Sequence, residues 1–126
     1  MKPITALIVD DSSVMRKIVE RSLRQAGVEF NSILQAENGS DALEILQRET
    51  VDLILSDINM PVMDGLQFVE KLQELPQAKG IPVVMITTEA SESHVMKALS
   101  SGARGYIRKP FTPDEVKDHV LPVLTS

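Results

Sequence analysis

The chain contains no cysteine, and this absence removes several kinds of chemistry at once. Without thiols there can be no disulfide, no thiolate metal site and no cysteine nucleophile. Long apolar runs are also missing, so no stretch approaches the ~20 residues of a membrane-spanning helix. The first residues, Met1 to Ile4, do not resemble a secretory signal. We therefore expect a cytoplasmic protein with no membrane partner.

Positive charge is also scarce in this chain. Lysine and arginine number 13 against 18 acidic residues, which gives a formal net charge of −5. Nucleic-acid binding requires a basic stripe that contacts phosphates, so we expect no nucleic-acid partner. The 126 residues fit a single domain, residues 1–126, with no output module that binds DNA. We expect a separate molecule to read the state of this domain.

Apolar runs alternate with helical periods five times along the chain. The predicted strands lie near Ala6–Asp10, Ile33–Glu37, Leu53–Asp57, Val83–Thr87 and Gly105–Ile107. Three of them are nearly all apolar, which is typical of parallel strands that are covered on both faces. Five strand–helix units of this length predict an α/β fold. Its open parallel sheet would carry helices on both faces, joined by right-handed crossovers.

Apolar stripes at three- and four-residue spacing predict the five helices. The stripes are Val14, Met15, Ile18, Val19, Leu23 and Ala26; Ala42, Leu43 and Leu46; Leu66, Val69, Leu72 and Leu75; Val95, Ala98 and Leu99; and Val116, Val120 and Leu124. Gly27 and Gly102 are the expected stops of the first and fourth helices.

Capping signals mark where two of these helices begin. Asp64 with Gln67 three residues later predicts a capping box, and Thr112 followed by Pro113 predicts another helix start. Pro122 falls late in the last stripe, where proline removes one intrahelical hydrogen bond and clashes with a preceding carbonyl. We therefore expect the last helix to end or kink around residues 120–121.

Carboxylates stand where two predicted strands end. Asp10 and Asp11 follow one apolar run, and Asp57 closes another. Ligands of such sheets bind beyond the carboxyl ends of the strands. Uncompensated carboxylates ~5 Å apart repel by ~3 kcal/mol per pair at an effective dielectric of 20. A hard divalent cation or Lys109, which ends the last strand, would offset that repulsion, so the sequence predicts an acid pocket for Mg²⁺ and a phosphoryl group.

Four motifs follow one another in a specific order. They are Val9-Asp10-Asp11-Ser12, Ser56-Asp57-Ile58-Asn59-Met60-Pro61-Val62-Met63-Asp64-Gly65, Thr87-Thr88 and Tyr106-Ile107-Arg108-Lys109-Pro110. Over nearly its whole length the chain resembles the receiver domains of two-component response regulators. Asp57, Asn59, Glu89 and Tyr106 match the stand-alone chemotaxis (CheY-like) subgroup. The resemblance implies the flavodoxin-like strand order 2-1-3-4-5, the order known for this family.

The resemblance also implies roles for the pocket residues. Asp57 would accept a phosphoryl group from a histidine kinase and ligate Mg²⁺. Asp11 would bind the cation directly, Asp10 through water, and Asn59 through its backbone carbonyl. Thr87 and Lys109 would each contact an oxygen of the phosphoryl group.

Further implied roles concern switching and tuning. Tyr106 would turn inward when Thr87 is drawn toward the phosphate, and Lys109 and Pro110 would be joined by a cis peptide. Thr88 stands where many family members carry a smaller residue, so it would narrow access to the phosphoryl group.

The implied partners are a histidine kinase, a flagellar switch protein or another effector, and a phosphatase. The domain would act as a monomer. It would not be an enzyme but a phosphoacceptor that catalyses its own phosphotransfer and dephosphorylation.

Three other functions are compatible with parts of the pattern. The domain could be a phosphorelay intermediate or a single-domain regulator of another pathway. A Mg²⁺-dependent phosphatase with an aspartyl-phosphate intermediate is a second alternative, but the haloacid-dehalogenase pattern Asp-x-Asp is missing after the first strand. A flavin-binding module on the same sheet is a third, but Asp10 and Asp11 would repel the flavin phosphate.

Overall fold

A computed structural model describes residues 3–78, 80–87, 92–109 and 111–125. Strands and helices alternate in the order β1 Ile4–Val9, α1 Ser13–Gln25, β2 Phe30–Ala36, α2 Gly39–Arg48, β3 Leu53–Asp57, α3 Gly65–Glu74, β4 Val83–Thr87, α4 Glu92–Ser100, β5 Gly105–Arg108 and α5 Pro113–Thr125. All neighbouring strands are parallel, and their order in the sheet is 2-1-3-4-5. The predicted flavodoxin-like α/β fold is therefore confirmed.

The central strands β3 and β4 match their predicted bounds better than the edge strand β2 does. β3 and β4 have the predicted limits, whereas β2 begins three residues early at Phe30. β2 pairs only with β1 and carries exposed polar residues such as Asn31 and Ser32. An edge strand of mixed polarity lacks the continuous apolar run that identifies a buried parallel strand.

The sheet separates two apolar layers. Successive side chains of a strand point to opposite faces, so Ile54 packs with α2 and α3 while its neighbours Leu53 and Leu55 pack with α1 and α5. All three side chains are at most 1% exposed. Both faces of β3 are thus covered.

The apolar stripe of α1 is wider than the face that the helix buries. Val14 and Ile18 belong to the predicted stripe, yet they are 67% and 40% exposed. At ~100° per residue the predicted stripe covers roughly half of the helix circumference. The buried face is centred on Val19 and Leu23 and includes Arg16. Leu99 of α4 is likewise exposed, whereas its neighbour in the stripe, Ala98, is buried.

The predicted helix starts are confirmed by hydrogen bonds. Gln67 N donates to Asp64 Oδ1 at 2.8 Å, and Asp64 N donates to Gln67 Oε1 at 3.2 Å. Thr112 Oγ1 accepts from the backbone N–H of Glu115 at 3.2 Å. Gly27, just beyond α1, has a φ of +92°, which only glycine adopts without strain.

Pro122 does not end α5, which continues to Thr125, so the expected end near residues 120–121 is wrong, and a kink there stays a prediction. Val120 is fully buried, and Val123 and Leu124 pack against the same core cluster. Burial of apolar side chains on both sides of the proline outweighs the one backbone hydrogen bond that proline removes. Within the described ranges, no helix is long and apolar enough to cross a membrane.

Candidate functional site

The three acids of the predicted pocket meet at one edge of the sheet. Val9 of β1 lies opposite Ser56 of β3, so the residues that follow them emerge side by side. One carboxylate oxygen from each of Asp10, Asp11 and Asp57 lies within 4.8 Å of the others. Asp10 and Asp57 are largely buried, whereas Asp11 is exposed. We call these three residues the acid cluster.

Lys109, the residue after the edge strand β5, places a positive charge in the acid cluster. Its backbone N–H donates to the carbonyl of Thr87 at 2.8 Å, which fixes the chain just after β5. Its Nζ lies 3.0 Å from Asp10 Oδ2 and 3.6 Å from Asp57 Oδ2. The side chain is only 12% exposed, so water screens these ion pairs weakly.

Asp57 lies in an environment that opposes its ionisation. Burial raises the pKa of this carboxyl above its usual value, and the charge of Asp10 raises the pKa further. The Lys109 ammonium and the backbone N–H groups of Ile58 and Asn59 act in the opposite direction but do not cancel the effect of burial on the pKa. Ile58 N donates to Asp57 Oδ1 at 2.8 Å, so that oxygen is held by the backbone.

Close packing at the start of α3 helps to hold Asp57 in place. Gly65 N donates to the carbonyl of Ile58 at 2.8 Å. A Cβ atom on Gly65 would collide with the backbone carbonyl of Asp57 and would lie 2.7 Å from the terminal methyl of Met85. Glycine is therefore required here because the helix approaches the end of β3 so closely.

The polar groups of Asp10 are hydrogen-bonded on every side. Its N–H donates to the Ala36 carbonyl at 3.0 Å, and its Oδ1 accepts from Ser12 N at 2.9 Å. Its Oδ2 pairs with Lys109, and its carbonyl accepts from Arg16 Nη1 at 2.5 Å. The orientation of Asp10 is thus fixed before any ligand binds.

Arg16 was not among the predicted site residues. It lies three and seven residues before Val19 and Leu23, on the buried face of α1. An arginine that extends an apolar stripe toward a pair of acids is a signal that the sequence does contain. The apolar pattern alone does not identify it, because arginine is usually exposed.

Thr87 and Tyr106 lie on neighbouring strands, as predicted. Thr87, at the end of β4, is fully buried, whereas Tyr106 on β5 is 37% exposed. The Tyr106 ring centroid lies 6.3 Å from that of His119 on α5, with the ring planes tilted by 40°. Asn59, in the loop after β3, is exposed.

Three predicted tuning residues, Thr88, Glu89 and Pro110, lie outside the described residues. Their roles stay predictions.

The loop between β3 and α3 contains a tight turn beside the acid cluster. Met63 N donates to the Pro61 carbonyl at 2.8 Å, and Val62 between them has a φ of +70°. A hydrogen bond across a single residue with positive φ defines a rare and strained type of γ-turn. Val62 is β-branched and 83% exposed, so neither its shape nor its packing favours this conformation.

The acid cluster fits a hard divalent cation. Three carboxylates and one ammonium give the pocket a formal charge of −2 when all are ionised. The donor atoms of the cluster are all carboxylate oxygens, which Mg²⁺ and Ca²⁺ prefer. The chemistry of the donor set therefore agrees with the predicted Mg²⁺ site.

Comparison with known families identifies the class of this protein. Residues 6–121 match the model of the response regulator receiver domain, so the chain belongs to that family. It is a receiver domain of the CheY type, a class of signalling protein.

Its relatives include a chemotaxis protein CheY homolog of Campylobacter jejuni and the chemotaxis protein CheY1 of Helicobacter pylori. The first is 40% identical over 119 residues, which cover 94% of this chain and 90% of the relative. The second is 42% identical over 119 residues and covers 94% of both chains. The solved structure of the chemotaxis response regulator CheY4 of Vibrio cholerae is 36% identical with a TM-score of 0.85, over 98% of this chain and all of that one.

Proposed function

We propose that this domain accepts a phosphoryl group on Asp57 from a phosphohistidine of a histidine kinase, and that the modification changes its affinity for a downstream protein. The observation that carries the proposal is the approach of Lys109 Nζ to Asp57 Oδ2, 3.6 Å, inside a cluster of carboxylates suited to a divalent cation. A buried carboxylate beside a cation-binding cluster and an ammonium has the parts that phosphoryl transfer requires.

In this reaction an oxygen of Asp57 attacks phosphorus. The new O–P bond forms as the P–N bond of the phosphohistidine breaks, and that electron pair returns to the imidazole nitrogen. Oδ1 is held by the Ile58 N–H, so Oδ2 is the oxygen oriented for attack. The Lys109 ammonium and the Thr87 hydroxyl would contact the phosphoryl oxygens and stabilise their charge. The product is an acyl phosphate, which water hydrolyses and so resets the signal.

The acid cluster would hold Mg²⁺ through residues of different accessibility. Exposed Asp11 would be a direct ligand, with Asp57 and the backbone carbonyl of Asn59. Asp10 has both carboxylate oxygens engaged, by Ser12 N and by Lys109, which suits a contact through water. When bound, the cation neutralises negative charge on the carboxylates and on the transferred group.

Binding of the downstream protein would depend on a conformational change near Tyr106. Exposed side chains on α4 and β5, among them Met96 at 61% and Tyr106 at 37%, form the surface whose shape the modification would alter. The named relatives are chemotaxis proteins, which supports a flagellar switch protein as the partner. A cytoplasmic location and action as a monomer belong to the same proposal.

Peptide-mapped mass spectrometry tests the proposed acceptor. The protein is incubated with acetyl phosphate and Mg²⁺, digested, and searched for an added phosphoryl group. We expect one adduct, on Asp57, that disappears in Asp57→Asn and persists in the control Asp118→Asn, an exposed acid of α5. An adduct on another residue of the wild type would show that the acceptor is misassigned.

A further inference from the structure

Arg16 is a buried cation that forms a hydrogen bond with the backbone of the acid cluster, at Asp10. The residue is 9% exposed and lies on α1. Its Nη1 donates to the carbonyl of Asp10, and its Nε donates to Gln35 Oε1 at 2.9 Å. No carboxylate within the described ranges forms an ion pair with it. Burying a guanidinium that has only neutral hydrogen-bond acceptors costs free energy. We therefore expect Arg16 to have a function that compensates for this cost.

We infer that Arg16 is a positioning residue for the cation site, because it fixes the peptide plane that joins Asp10 to Asp11. The inference rests on the proposed function, in which Asp11 is a direct ligand of the divalent cation. It assigns to Arg16 a role that requires no contact with the cation.

The geometry of the peptide bond links Arg16 to Asp11. The carbonyl of Asp10, the N–H of Asp11 and the Cα atoms of both residues lie in one plane. Arg16 holds the oxygen of this plane, and the Ala36 carbonyl holds the N–H of Asp10 on the other side. Fixing both groups sets the direction of the backbone at Asp11, two residues after the end of β1. Asp11 is exposed, so its backbone rather than side-chain packing must orient its carboxylate.

The bond to Gln35 explains why arginine suits this position. Gln35 lies on β2, paired with Ile8 of β1, so it moves with the strand that carries Asp10. The planar guanidinium donates to Gln35 and to the Asp10 carbonyl at once, which a lysine ammonium on a flexible stem does less well. The guanidinium also brings a positive charge close to the acid cluster.

Mg²⁺ affinity measured by calorimetry tests the inference. We expect Arg16→Gln to raise the Kd for Mg²⁺ by about 10- to 100-fold, the range seen when groups that orient metal ligands are removed. The matched control is Arg21→Gln, on the exposed side of α1, which loses the same charge. Its Kd should stay within about twofold of the wild type, because water and salt screen an exposed charge. Gln35→Met removes the hydrogen bond from Arg16 Nε but keeps the charge of Arg16. It should raise the Kd for Mg²⁺ by a smaller factor than Arg16→Gln does, and it replaces Arg16→Gln as the test if that variant does not fold.

Amide hydrogen exchange at Asp10, measured by NMR without metal, supplies a second readout, because this N–H donates to the Ala36 carbonyl and so is protected. Exchange of the Asp10 amide should be faster in Arg16→Gln than in the wild type and unchanged in Arg21→Gln. A folded Arg16→Gln with wild-type Mg²⁺ affinity and wild-type exchange would overturn the inference, as would equal losses of affinity in both variants. If the wild type itself bound no Mg²⁺, the proposed function would fail, and the exchange rates would still decide whether Arg16 fixes the Asp10–Asp11 peptide.

Discussion

Asp57 is a residue at which function and stability conflict. Burial and the neighbouring Asp10 raise its pKa, and the nearby Lys109 only partly counteracts them. In the folded protein this carboxyl therefore loses its proton less readily than in the unfolded chain. An apolar surrounding makes the carboxylate costly, but it also strengthens the charge interactions that phosphoryl transfer would use.

Replacing Asp57 by Asn should stabilise the metal-free protein at neutral pH. The folded-state pKa is raised above the ordinary 3.8, so the folded state binds more protons over that window and stability falls as pH rises through it. Asparagine does not ionise, so we expect a gain on the order of 1 kcal/mol at pH 7. Urea unfolding with a chelator measures it. The gain should vanish below the ordinary pKa and be absent in Asp118→Asn, and a gain that is independent of pH would contradict the electrostatic cause.

Lys109 should connect modification with output. Lys109→Ala leaves Asp57 Oδ2 in place, so we expect phosphorylation by acetyl phosphate but no further change at Tyr106. Tyr106 is the only tyrosine and there is no tryptophan, so intrinsic fluorescence reports this residue alone. The wild type and the control Lys117→Ala, an exposed lysine of α5, should change fluorescence on phosphorylation. The same change in phosphorylated Lys109→Ala would show that Lys109 only neutralises charge.

Val62 is a residue whose backbone conformation costs stability. A β-branched side chain at a φ of +70° is strained, whereas asparagine is found at positive φ several times more often than most other residues. We expect Val62→Asn to raise the free energy of unfolding by about 1 kcal/mol, measured by urea denaturation. Val62→Ile keeps the branch and should leave it unchanged. A loss of stability in the asparagine variant would mean that the valine side chain makes a favourable contact.

Among the helices and strands, β3 follows its sequence pattern more closely than α1 does. β3 is apolar until Ser56 because both of its faces are covered, and its predicted bounds are those observed. α1 contacts the sheet with one face only, so Val14 and Ile18 fit the helical period and yet remain exposed. Periodicity identifies a helix well, but which part of a wide apolar stripe is buried depends on how the helix packs.

Pro122 shows how packing overrides a local preference within α5. Replacing it by alanine should restore the missing hydrogen bond and remove the clash, which cost ~3 kcal/mol in a helix interior. The greater freedom of the unfolded chain offsets ~0.4–1 kcal/mol of this, so we expect a net gain of about 2 kcal/mol in thermal or urea unfolding. Pro113, at the first helical position, is the matched control, and Pro113→Ala should give no gain. Equal effects at both positions would contradict this account of α5.

Across the whole molecule, the sequence predicts which acids meet but not what holds them. Asp10, Asp57 and Lys109 could be grouped because each lies at the carboxyl end of a parallel strand, and such ends share one edge of the sheet. The bond of Arg16 to the Asp10 carbonyl could not be predicted, because any residue offers a backbone carbonyl as acceptor. The raised pKa of Asp57 likewise depends on burial that only the folded chain provides.

The acid cluster exists only in the folded state, since its members are 1 and 46 residues apart in sequence. A cation that binds the cluster therefore stabilises the entire fold, by RT ln(1 + [L]/Kd), about 2.7 kcal/mol at a hundredfold excess over Kd. Asp11→Asn removes one of the three carboxylates without disturbing a buried side chain. It should abolish most of this gain.

The melting temperature as a function of Mg²⁺ concentration tests the central claim, that Asp10, Asp11 and Asp57 form a divalent-cation site, most directly. We expect the melting temperature of the wild type to rise continuously with the logarithm of Mg²⁺ concentration above Kd. Asp11→Asn should show little rise, and the control Asp118→Asn should follow the wild type. A wild-type melting temperature that does not respond to Mg²⁺, or an Asp11→Asn variant that responds equally, would contradict the assignment of this cluster as a metal site.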